Sequence, residues 1–154
     1  MAYENVNVTS LRNSINKCLN SLSKSSSKAI IDELSRNDKW CGESKETFKK
    51  ALETLVNTRY QELEDYLNQC LSNVDQIENY QNAAAEKSSY NNQISGLNKQ
   101  LDALQTKKNY ATDEATKTSL QKQINETKAK ISNLESQSSS SESNMNEYAN
   151  NIII

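Results

Sequence analysis

The chain has no proline and no histidine, and its 154 residues include only two glycines, one tryptophan and one phenylalanine. Without proline nothing forces a helix to stop, and two glycines leave few places for left-handed backbone. Long unbroken helices are therefore expected. The lack of histidine removes the commonest general base and the side chain that switches charge near neutral pH. No glycine-rich phosphate loop is present. The three cysteines, Cys18, Cys41 and Cys70, show neither CxxC nor CxxH spacing, so they read as small core or boundary residues rather than metal ligands. The expectation is a non-enzymatic protein with no cofactor, no metal and no small-molecule substrate.

Long apolar runs are also missing. Nothing approaches the ~20 apolar residues that a bilayer crossing needs, the terminal "NIII" is short, and stable membrane insertion is not expected. The opening "MAYENVNVTS" has neither a basic start nor an apolar stretch. The expectation is a chain that is cytoplasmic when synthesised and, if exported to the cell surface or medium, travels without a cleaved signal peptide. Eighteen basic residues stand against 20 acidic ones with no basic block, which gives no electrostatic footprint for nucleic acid. Only 34% of the residues are hydrophobic, yet the net charge is just -2, too balanced for charge-driven disorder. Periodicity has to decide between order and disorder.

The periodicity is helical. Val8, Leu11, Ile15, Leu19 and Leu22, then Ile30 and Leu34, step by three and four, which predicts an amphipathic helix over about residues 9–36. A second stripe starts after Gly42 and runs through Phe48, Leu52, Leu55, Leu63, Tyr66, Cys70, Val74, Ile77, Tyr80 and Ala84 to Ile94, Leu97, Leu101 and Leu104. It predicts one helix over residues 43–108, on the order of 100 Å long at ~1.5 Å per residue. A third stripe, Leu120, Ile124, Thr127, Ile131, Leu134, Ser138, Ser141, Met145, Tyr148 and Ile152, keeps the alternating steps of a heptad seam. Its phase is unbroken across "SQSSSSES", whose residues are poor helix formers. Residues 136–154 are therefore read as a continuation of the helix, with a tail as the alternative.

In an antiparallel pair, facing core positions have residue numbers that add to a near constant. Leu104 with Leu120, Leu97 with Thr127 and Tyr80 with Met145 meet that condition, as do Leu34 with Phe48, Ile15 with Tyr66 and Val8 with Val74. The expected fold is all-α: an elongated rod of two antiparallel helical hairpins sharing one long central helix. The first domain is residues 1–76, turning at 37–42. The second is 77–154, a coiled-coil hairpin with its tip near 109–115.

The rare residues cluster at the first turn. "NDKWCGESKETF", residues 37–48, holds the tryptophan, one glycine and the phenylalanine. Trp40, Gly42, Ser44 and Phe48, between a helix of about thirty residues and a second amphipathic helix, resemble the WXG (Trp-x-Gly) family of type VII secretion in Gram-positive bacteria. The match covers about residues 5–85. The longer second half looks more like the extended helical partners of toxins with an LXG-type domain.

The resemblance implies an interaction protein, either a secreted substrate or a targeting partner of a larger LXG-type toxin, engaged by a secretion ATPase. It also implies an export signal of the form Tyr-x-x-x-Asp/Glu. Two pairs fit that pattern, Tyr60 with Glu64 and Tyr110 with Glu114. Read from the residues alone, Ile31, Val56, Leu67 and Leu71 lie off the main seams and form a second apolar edge, the candidate face for a helical partner, in a self- or heterodimer. The alternative is a structural coiled-coil spacer or tether with no export role, in which Trp40 and Gly42 only make a turn.

Overall fold

The computed structural model describes residues 3–24, 32, 33, 36 and 42–153. Among them the protein is all-α, with no strand. Three helices follow one another: α1 (Val8–Lys24), α2 (Glu43–Tyr110) and α3 (Glu114–Asn150). Trp40, Cys41 and Ile31 lie outside the described residues, and so does most of the second half of the helix expected over 9–36.

Each helix start is accounted for by its local sequence. Asn7 caps α1 through its side-chain oxygen, which accepts from the Ser10 amide at 2.9 Å. Gly42 carries the one positive φ among the described residues, 96°, and its carbonyl accepts from the Lys45 and Glu46 amides, the first bonds of α2. Glu43 and Glu46 then place negative charge in the first turn, and Lys107 and Lys108 place positive charge in the last. Asp113 has extended backbone and caps α3, accepting from the amides of Ala115 at 3.0 Å and Thr116 at 2.9 Å. That cap shortens the expected tip at 109–115 to Ala111–Asp113. Tyr110 still belongs to α2, and Glu114 already belongs to α3.

The chain divides into two compact units. The first comprises Val6–Asp75 with Ile153–Ile154, and the second Gln76–Ile152 with Met1–Asn5. A division after residue 76, with each terminus in its own half, was expected. Here the division within α2 falls between Asp75 and Gln76, and the two terminal pieces change sides.

Within the second unit, contacts between α2 and α3 run in opposite chain directions. Lys108 hydrogen-bonds Gln121, Asn91 accepts from the Ser138 hydroxyl at 2.9 Å, and Lys87 pairs with Glu142 at 2.8 Å. The two stretches are therefore antiparallel. The buried positions of α3 are Ile124, Thr127, Ile131, Ser138, Ser141 and Met145, steps of three, four and seven that keep one heptad face inward. Burial of Ile124, Ile131 and Met145 contributes about 1.5–3 kcal/mol each.

The serine run lies within α3, which continues to Asn150. Ser138 and Ser141 occupy seam positions, where a short side chain lets two helices approach closely. Their hydroxyls are satisfied by Asn91 and, at 3.3 Å, by Glu86. Packing and satisfied hydroxyls override the low helix propensity of this run. At the far end of the unit Tyr80, Ala83 and Met145 form a buried cluster, with Tyr3, Ala84, Tyr148 and Ala149 packed on it. The Tyr3 ring stands edge-on to Tyr80 at 5.5 Å, and Gln81 donates to the Tyr3 carbonyl at 2.8 Å.

The first unit buries Val8 and Val74 and pairs Arg12 with Asp75 at 2.6 Å. Leu63 and Tyr66, expected in its seam, are exposed, as are Leu55 and Phe48. The half-buried set on α2 is Leu52, Val56, Tyr60, Leu67, Cys70 and Leu71. At ~3.6 residues per turn, Phe48, Leu55 and Tyr66 lie within about 20° of one line and Val56 and Leu67 about a quarter turn around from it, with exposed Leu63 and half-buried Leu52 and Cys70 between the two. The apolar stripe is wider than one helix can cover, and the structure buries the Val56 and Leu67 side of it.

Candidate partner-binding edge

The most exposed apolar line among the described residues is on α2. Tyr66 retains 66% of its surface, Leu55 55%, Phe48 47% and Leu63 45%. Leu11 of α1 retains 41%. Next to Phe48 lies a shallow depression lined by Glu43, Ser44, Thr47 and Ala51. Arg59 and Glu62 pair at 2.6 Å between Leu55 and Tyr66 in the sequence. The edge is apolar, with one charged pair within its length.

The residues expected to form the partner face behave differently. Val56, Leu67 and Leu71 are half-buried within the first unit, and Ile31 is outside the described residues. The face with more surface to offer is thus the line of Phe48, Leu55, Leu63 and Tyr66. A count of apolar residues does not show which edge of a broad stripe is covered, so this assignment had no signal in the sequence.

The two tyrosine and acid pairs are also placed differently. Tyr60 is half-buried and Glu64 is exposed one turn later, both within α2. Tyr110 ends α2 with 83% of its surface exposed. Glu114 opens α3 and pairs with Lys117 at 2.7 Å. The first pair therefore shares one helix, and the second spans a helix break.

Among the described residues no group of three His, Cys, Asp or Glu side chains could hold a metal ion, and no helix is long and apolar enough to cross a membrane. Cys18 is an exposed free thiol and Cys70 a half-buried one. Bonds from the Thr116 side chain and amide, then the Ala115 amide, hold the Asp113 carboxyl below its ordinary value. Its role is that of a helix cap.

Two features escaped the sequence reading. Asn73 binds the backbone of Ile153, and Tyr3 docks on Tyr80. A carboxamide bonded to a backbone group follows no spacing rule, and a lone tyrosine in a polar segment carries no periodicity. Compared with known protein families, with characterised proteins and with solved structures, the chain matches none.

Proposed function

We propose that the protein is a non-enzymatic interaction protein of a type VII (WXG-type) secretion system, a secreted substrate or the targeting partner of a larger LXG-type toxin. The observation that carries the interaction reading is the exposed line Phe48, Leu55, Leu63 and Tyr66 on α2. Apolar surface arranged along one helix is the form a helical partner recognises. Gly42, with its positive φ directly before α2, supports the Trp-x-Gly turn as the start of this edge. The secretion role rests on the resemblance around Trp40, Gly42 and Phe48. The arrangement of two helical hairpins on one shared helix belongs to the same proposal.

Export without a cleaved signal, engagement of a secretion ATPase and the tyrosine signals follow from this reading. Of the two candidates, Tyr60 with Glu64 is the one that presents both side chains from a single helix. A second reading, a coiled-coil spacer with no export role, draws on the 68-residue span of α2.

Light scattering after size exclusion, on the chain alone and mixed with the purified products of adjacent genes, tests the proposal. A heterocomplex with a helical neighbour that is lost in Leu55→Arg and Tyr66→Arg, together with ATPase-dependent appearance in the medium, is the expected result. A chain that ignores every neighbour and stays in the cell would leave the spacer reading.

A further inference from the structure

We infer that residues 3–5 form a strap that latches the last turns of α3, so that lifting the strap loosens the C-terminal end of that helix. This is a conformational device within the second unit, and it does not rest on the proposed function.

The buried positions of α3 after Ile131 are Ser138, Ser141 and Met145. The two serines bury almost no hydrocarbon, which leaves Met145 as the one buried apolar side chain in that part of the helix. Met145 meets Tyr80 and Ala83 of α2, and Tyr3, Ala84, Tyr148 and Ala149 pack on the same cluster. The alanines contribute little area, so the rings of Tyr3, Tyr80 and Tyr148 supply most of its bulk. In so small a cluster the loss of one ring leaves space that the others relax into. Tyr3 therefore belongs to the seam of α2 and α3, although it precedes α1 in the chain.

The strap itself is lightly held. Its ring stands edge-on to Tyr80 at 5.5 Å, and its carbonyl accepts from Gln81 at 2.8 Å. Glu4 and Asn5 are exposed. Beside them lies an open depression lined by Glu4, Gln81, Ala84, Ala85 and Ser88, so the strap rests on short side chains without filling the space over them. Helix resumes only at Val8, where Asn7 supplies the cap. A segment with one ring and one carbonyl as handholds opens at low free energy, without the helices around it opening.

The coupling runs both ways. The strap docks on the seated end of α3 and not on a frayed one, so it favours the seated form, and the seated Tyr148 and Ala149 in turn hold the strap. A protease or a binding partner that takes residues 3–5 away exposes the Tyr80 and Tyr148 rings and frees the last turns of α3.

Hydrogen exchange resolved by residue, on the full chain, is the test. It is read in an Asn73→Ala background, so that the bonds from Asn73 to Ile153 beyond α3 do not hold the helix end by themselves. Tyr3→Ala should raise exchange at the amides of residues 145–149 about threefold to tenfold, the factor to which the loss of an edge-to-face ring pair corresponds, and leave Ile124 and Ile131 unchanged. Tyr3→Phe keeps the ring and should exchange like the background. In the other direction, Tyr148→Ala should speed chymotryptic cleavage after Tyr3, which requires the ring to leave Tyr80. Unchanged exchange at residues 145–149, a rise spread evenly along α3, a Tyr3→Phe variant that behaves like Tyr3→Ala, or a cleavage rate indifferent to Tyr148 would each overturn the inference.

Discussion

Asn73 holds both polar groups of one peptide unit's residue: its Nδ2 donates to the Ile153 carbonyl at 2.7 Å, and its Oδ1 accepts from the Ile153 amide at 3.1 Å. Ile153 itself is 62% exposed, so these bonds, rather than burial of its side chain, fix the backbone there. Exposed hydrogen bonds contribute at the low end of about 0.5–1.5 kcal/mol each. Asn73→Ala should therefore raise amide exchange at Ile153 roughly fivefold, since about 1.4 kcal/mol is a factor of ten, with little change in global unfolding. Unchanged exchange would mean that the tail is held by something else.

Gly42 turns the chain into α2 with φ 96°, and nothing lies within 4 Å of an added Cβ. The strain of a side chain there is backbone strain alone. Gly42→Ala should cost about 1 kcal/mol, read as a lower denaturant midpoint. Gly96 lies inside α2 and has ordinary backbone, so Gly96→Ala should instead stabilise, by about 0.5–1 kcal/mol.

Ser141 is 4% exposed and faces Glu86, whereas Ser140 is exposed and its hydroxyl bonds back to the Ser136 carbonyl. Ser141→Leu should overpack the close approach of α2 and α3 and destabilise by about 1–3 kcal/mol. Ser140→Leu should change stability by no more than about 0.5 kcal/mol. Thermal melts of the two variants separate a seam serine from a surface one.

Asp113 has its carboxyl pulled below 3.8 by bonds from Thr116 and Ala115. Because the folded value is the lower one, the cap's contribution is complete above the unfolded value and is lost as pH falls through the folded one. Asp113→Asn keeps a capping oxygen but removes that dependence. The melting temperatures of the parent and the variant should converge as pH falls through the folded-state value of the carboxyl. A gap that stays constant would show that the charge adds nothing to the cap.

Paired spin labels at Leu97 and Thr127 address the second hairpin. Helices packed side by side have axes about 8–10 Å apart, so the labels should read within roughly 20 Å. A distance of several tens of Å would remove the expected register.

The all-α class was legible in the absence of proline and in the stripes of three and four. The start of α2 after Gly42 was legible too, and its end at Tyr110 lies two residues beyond the expected 108. The heptad phase carried the reading of α3 through Ser138 and Ser141, where propensity alone pointed to a tail. The inward side of the apolar stripe was not legible. Phe48, Leu55, Leu63 and Tyr66 are as apolar as Val56, Leu67 and Leu71, and only packing separates them. The tip expected near 109–115 was legible as well, and the Asp113 cap narrows it to Ala111–Asp113. The docking of Tyr3 and of Ile153 depends on single long-range contacts that leave no trace in spacing.

The hydroxyl-filled seam has a calorimetric consequence. Where Thr127, Ser138 and Ser141 stand at positions that leucine or isoleucine would fill in an ordinary coiled coil, unfolding the helix pair exposes little hydrocarbon to water. Heat capacity and denaturant sensitivity both scale with that exposure. The second unit should therefore unfold with a small heat-capacity increment and a shallow urea slope for its length, and its stability curve should be broad and flat rather than sharply domed.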